Sequence, residues 1–146
     1  SKTAGLAGLR IGFALGHPDV INRITRVTGP YDINSFAVTA AFAALSDQAY
    51  VESYVAEVLK AREWLKGQLS KTNIKYHMAA GNYFLIWPNN DANTIEASLK
   101  DDGILIRNMN DKPLINGSFR VSIGTTDQMK LFWSIYQKVD EIKSLN

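Results

Sequence analysis

Gly103-Ile104-Leu105-Ile106-Arg107, a polar run from Asn108 to Gly117, then Ser118-Phe119-Arg120-Val121-Ser122-Ile123-Gly124 and Thr125-Thr126-Asp127-Gln128 decide the fold class. Two short apolar runs, Ile104 to Arg107 and Phe119 to Ile123, are separated by a polar loop, which predicts two strands. Thr125 with Gln128 three positions later has the spacing of a capping box, in which each side chain reaches the other residue's backbone N–H. Met129, Phe132, Trp133, Tyr136 and Val139 then recur at helical spacing and predict a terminal helix.

Working back from this stretch, Asp91 to Asp102 predicts a short helix facing inward through Ile95 and Leu99, closed by Gly103. Ile74 to Met78 and Tyr83 to Trp87 read as strands around Ala79-Ala80-Gly81-Asn82, with Pro88 ending the second. Val51, Tyr54, Val55, Val58, Leu59, Leu65 and Leu69 predict a long amphipathic helix from Asp47 to about Ser70. The first third is helical: Asp19 is the expected cap of a helix that ends before Gly29-Pro30, and Ser35 that of a second helix through Leu45. Ile11 to Leu15 reads as a short buried strand broken by Gly16-His17-Pro18. The order predicts an α/β class (α+β small domain), a small sheet with helices packed on one face. The expected division is 1–46, a long connecting helix over 47–72, and a small C-terminal domain over 73–146.

Composition narrows the function. The 146 residues are 46% hydrophobic and 21% charged, with a net charge of +2 and no run of like charges to hold a nucleic-acid backbone or an anionic membrane. The absence of cysteine excludes disulfides and thiolate chemistry. Phe36 to Leu45, among the longest apolar stretches, is too short to span a bilayer, and the amino end lacks a signal-peptide layout, so a cytoplasmic protein is expected. His17 and His77 have no metal spacing and read as a turn and a strand residue. Asp101-Asp102 reads as a solvated helix end, and Trp64, Trp87 and Trp133 as core or sheltered residues.

The chemistry-bearing signal is Ser1-Lys2-Thr3-Ala4-Gly5-Leu6-Ala7-Gly8-Leu9-Arg10-Ile11-Gly12. A lysine amine attacks a carbonyl only when it is unprotonated part of the time, and small neighbours let a flat cofactor lie close to the backbone. The arginine fork suits a phosphate. On chemistry alone such a segment is usually just a turn.

Lys2-x-x-Gly5-Leu6-x-Gly8-x-Arg10-Ile11-Gly12 resembles the lysine motif of class I/II pyridoxal-phosphate aminotransferases, and Ala7 to Phe13 resembles the histidinol-phosphate aminotransferase type. Gly29-Pro30-Tyr31-x-Ile33-Asn34 and Asn82-Tyr83-Phe84-Leu85-Ile86 are similar to later segments of that family. Arg107 and Arg120, on strands either side of a polar loop, resemble its substrate-binding arginines. The likeness covers essentially the whole chain.

The resemblance implies the C-terminal part of a fold type I pyridoxal-phosphate transferase: a remnant of the large domain, then the small one. It implies amino transfer between L-glutamate and imidazole acetol phosphate, giving L-histidinol phosphate in histidine biosynthesis. Lys2 would be catalytic and bind pyridoxal 5'-phosphate covalently, with Ser1 and Arg10 on the cofactor phosphate. Arg120 would take the α-carboxylate of glutamate or 2-oxoglutarate, and Arg107 the second anionic group. The family's ring-pairing aspartate, stacking aromatic residue, glycine-rich phosphate turn and partner-subunit tyrosine precede the lysine, so the chain by itself is expected to be inactive, and the full-length form a homodimer. Tyr31 can serve either the turn or the active site. A related enzyme such as threonine-phosphate decarboxylase, or a non-catalytic interaction domain, are the other readings.

Overall fold

The computed structural model describes residues 4–29 and 31–143. The backbone divides into two compact units, Ser1–Val55 and Ala56–Asn146.

In the first unit a single 3-10 turn, Ala7–Leu9, precedes two helices, α1 (Pro18–Thr25) and α2 (Ser35–Ser46). The caps lie one or two residues before the expected ones. His17, rather than Asp19, caps α1, its ring nitrogen accepting from the Asp19 N–H, because Pro18 takes the first helical position. Asn34, rather than Ser35, caps α2, with its side-chain oxygen 2.8 Å from the Ala37 N–H. The expected strand over Ile11 to Leu15 does not form. A strand needs a partner for its N–H and C=O groups, and the described residues of this unit supply none. Only Ile11 of that run is buried, against Ala37 and Ala41, while Phe13 and Leu15 are exposed.

α3 (Gln48–Leu69) forms over the expected span. Of the apolar residues expected on its inward face, however, only Leu65 and Leu69 are buried, while Tyr54, Val55 and Leu59 are exposed because no second layer covers that part of the helix among the described residues. Its Ala61, Leu65 and Leu69 enter the core of the second unit. That unit holds a four-stranded antiparallel sheet in the order β1-β2-β4-β3, from β1 (Lys75–His77), β2 (Tyr83–Trp87), β3 (Arg107–Asn108) and β4 (Phe119–Ser122). α4 (Ala92–Asp101) and α5 (Thr126–Val139) complete it. Because strand side chains alternate, Phe84 and Ile86 of β2 and Phe119 and Val121 of β4 share one face. They pack there against Leu65, Leu69, Ile95, Leu99, Phe132 and Tyr136 from the three helices. The expected packing of helices on one face is borne out.

β3 is shorter than the Ile104 to Arg107 run predicted. Gly103 has φ +78°, its N–H donates to Lys100 O, and the Ile104 N–H donates to Leu99 O at 2.8 Å, which is the Schellman closure of α4. Ile104 is thus committed to ending a helix, and sheet pairing begins only at Arg107. At the start of α5 both bonds of the Thr125–Gln128 capping box are present.

Candidate active site

Ser1 and Lys2 lie outside the described residues. In the loop that follows them Gly5 has φ +69°, and a Cβ on Gly5, Gly8 or Gly12 would meet nothing within 4 Å. Arg10 ends the 3-10 turn in the left-handed region, at φ 57° and ψ 35°, a conformation that costs a non-glycine residue about 1–2 kcal/mol. Among the described residues its exposed guanidinium makes one long hydrogen bond, to Ala7 O at 3.4 Å. The turn is tied to α2 through Asn34, whose amide donates to Leu9 O at 3.3 Å while its oxygen caps the helix. Asn34 thus links this loop to α2. Its sequence signal, an Asn before an alanine-rich run, was legible only as part of a motif. Tyr31 is almost fully exposed.

In the second unit the sheet brings Arg107 and Arg120 directly opposite one another across β3 and β4. In antiparallel ladders opposed Cα atoms are about 4.5–5.5 Å apart, and opposed side chains project to the same side. Since Phe119 and Val121 face the core, Arg120 and its partner Arg107 stand on the open face. Register continues the row through Leu85 to His77, so one line across all four strands reads His77, Leu85, Arg120, Arg107. Like charges directly opposed repel. Among the described residues neither arginine is in an ion pair, although the Arg107 charge is near enough to Asp111 to contribute to lowering its pKa. The guanidinium carbon of Arg120 lies 5.1 Å from the Tyr83 ring centroid.

The loop joining the two arginines is closed by side chains that the sequence reading did not single out. The Asn108 amide donates to Asn93 and Glu96 of α4, and the Asn110 amide to Asn93, while the Gly117 N–H donates to Asn110 Oδ1 at 3.0 Å. Trp87 donates its indole N–H to Asn116 O at 3.1 Å. Asp111, beside this loop, is held below the usual carboxylate range chiefly by the Lys112 ammonium 2.7 Å away. Behind the sheet, fully buried Asp140 accepts from the Asn89 and Asn90 N–H groups, the Asn90 amide and the Tyr136 hydroxyl. Burial first, then the Asp140 charge, keeps Tyr136 protonated well above the usual tyrosine range. A lone acidic residue near a helix end gave no sequence signal for this anchor.

A family model described as aminotransferase class I and II matches residues 1–133. The chain belongs to this family. A histidinol-phosphate aminotransferase of Geotalea uraniireducens is 35% identical over 131 residues, covering 89% of this chain and 38% of that one. The crystal structure of histidinol-phosphate aminotransferase from Sinorhizobium meliloti in complex with pyridoxal-5'-phosphate matches with a TM-score of 0.78 at 26% identity, over 95% of this chain and 39% of that one. The crystal structure of L-threonine-O-3-phosphate decarboxylase from Porphyromonas gingivalis shares the fold, with a TM-score of 0.73 at 20% identity, over 95% of this chain and 44% of that one. This aminotransferase-family chain therefore spans about two fifths of the length of such relatives. The expected fold class, a fold type I transferase small domain with part of the large one, is borne out. Among the described residues, no helix of the aminotransferase-family chain is long and apolar enough to cross a membrane.

Proposed function

We propose that this chain forms the C-terminal part of a pyridoxal-phosphate-dependent aminotransferase that moves an amino group between L-glutamate and a phosphorylated ketone, imidazole acetol phosphate, yielding L-histidinol phosphate. The observation that carries the reading is the directly opposed pair Arg107 and Arg120 on the open sheet face, neither of them in an ion pair among the described residues. L-glutamate and 2-oxoglutarate carry two carboxylates and the phosphorylated ketone carries a phosphate, and two adjacent planar forks suit these anions. Arg120 binds the α-carboxylate, and Arg107 the side-chain carboxylate or the phosphate. Each charge-assisted contact contributes roughly 1.5–3 kcal/mol.

The residues present fit pyridoxal phosphate. The glycine positions leave room against the backbone, and Arg10 is exposed with no carboxylate partner among the described residues, as a phosphate ligand requires. Arg10 grips the phosphate, assisted by the Ser1 hydroxyl. When bound, the cofactor supplies an electron sink that makes a substrate Cα–H removable as a proton. The Lys2 amine takes that proton and later returns one, and its work demands an unprotonated state for part of the time. The full-length enzyme is a homodimer in this reading, and the 146-residue chain alone binds without turning over.

The test is to incubate the chain with pyridoxal phosphate, reduce with borohydride and map the labelled peptide. A single adduct on Lys2 that is lost in Arg10→Ala is the expected result. Labelling scattered over the surface lysines, and indifferent to Arg10, would sink the reading. In a longer protein containing this chain, transfer from L-histidinol phosphate to 2-oxoglutarate is the matching activity assay.

A further inference from the structure

We infer that Tyr83 is a positioning residue for Arg120: its ring is the bed on which the guanidinium lies, and Gly81 and Arg62 fix that ring. The inference rests on the carboxylate-binding role proposed for Arg120. β2 and β4 register Leu85 opposite Arg120 and Tyr83 opposite Ser122, so Tyr83 is the diagonal neighbour of Arg120 on the same open face. A diagonal neighbour is within reach of an aromatic ring, and here the guanidinium carbon comes to 5.1 Å from the ring centroid.

The ring's own pose is set from the other side. A Cβ on Gly81 would stand 3.2 Å from Tyr83 Cε1 and 3.5 Å from Cδ1, so the ring leans on a position that only glycine leaves clear. The loop carrying Gly81 is held by Arg62 of α3, which donates to Gly81 O at 3.4 Å and to Ala79 O. Arg62 therefore sets the loop, the loop sets the ring, and the ring restrains a long side chain that would otherwise sample many rotamers. Arg120 itself is only half-buried, which leaves its guanidinium within reach of an anion from solvent. The ring contact shields one guanidinium face from water and strengthens the fork for a carboxylate arriving at its edge.

The experiment measures two things on this chain: the NMR shift of the Arg120 Nε–H proton, and the dissociation constant for 2-oxoglutarate. In Tyr83→Leu the ring-current displacement of the proton disappears and binding weakens about two- to five-fold, the size of an exposed cation–π contact. Tyr83→Phe keeps both within experimental scatter, a rescue that a hydroxyl-based or purely structural role does not predict. Gly81→Val, which leaves the Arg120 side chain itself unchanged, moves the ring, shifts the proton and weakens binding at least two-fold, and it serves as the reporter should Tyr83→Leu not fold. If Tyr83→Leu changes neither quantity while Arg120→Gln abolishes binding, the inference is overturned and the role of Arg120 stands. If Arg120→Gln binds 2-oxoglutarate like the parent, the role of Arg120 fails and the inference falls with it.

Discussion

The two units of this chain treat apolar side chains in opposite ways. In Ala56–Asn146, apolar residues from three helices and the sheet close into one core, with Leu65, Leu69, Phe84, Phe119 and Tyr136 wholly buried. In Ser1–Val55 the buried cluster among the described residues is Ile11, Ala37 and Ala41, while Phe36 and Phe42 on α2 are 80% and 68% exposed. α2 is apolar around its whole circumference, a pattern that belongs to a helix covered on all sides. The contrast teaches that one chain can combine a unit sufficient for its own core with one whose residues were chosen for surroundings larger than itself. Such a face favours self-association in water.

The largest effect that sharpens this comparison should come from the second unit's polar anchor. Asp140→Ala leaves the Asn89 and Asn90 N–H groups and the Tyr136 hydroxyl without their acceptor, and a loss of about 3–5 kcal/mol is expected in urea unfolding. Next is a matched pair of truncations. Leu65→Ala, at a fully buried site, should cost about 2–5 kcal/mol, whereas Phe42→Ala should change stability by less than about 0.5 kcal/mol and instead reduce concentration-dependent association in sedimentation velocity. Equal costs at the two sites would break the comparison.

A smaller effect is expected at Arg10. Replacing it with glycine relieves the left-handed backbone, so thermal stability should hold or rise by up to about 1 kcal/mol, while borohydride trapping on Lys2 is lost. A stability loss there would mean that the arginine is structural. The smallest effect concerns Glu57, whose carboxylate accepts from the Thr126 N–H at the start of α5 at 2.8 Å. That backbone bond, then the Thr126 side chain, lowers its pKa from the ordinary 4.5. A depressed carboxylate contributes stability that is complete above the unfolded value and is lost as pH falls through the lower folded value. Glu57→Gln should therefore flatten the acid limb of the stability profile below about pH 4.5 and leave neutral pH nearly unchanged.

Much of the second unit was legible because its signals are local. The capping box at Thr125, the helix from Asp91 closed by Gly103, the Tyr83–Trp87 strand and the inward faces of α4 and α5 each follow from side chains within a turn or two of one another. The site was legible as residue types: a lysine among small residues, one arginine after it and two more on strands. What escaped were arrangements that depend on distant partners, such as Asn93 with Asn108 and Asn110, Glu57 with Thr126, and Arg62 with the loop before Tyr83. The reading of Ile11 to Leu15 as a strand failed for the same reason, since an apolar run becomes a strand only beside another.

The sequence by itself determined the order of elements, the faces they bury and the candidate residues, because periodicity and capping act over a few positions and need no third party. Only the tertiary structure decided that Arg107 stands opposite Arg120, that Tyr83 lies beneath the latter, and that Asp140 is wholly buried among donors from an earlier loop. Register between strands and the burial of a single charge are set by contacts between residues far apart in the chain, and no local pattern encodes them.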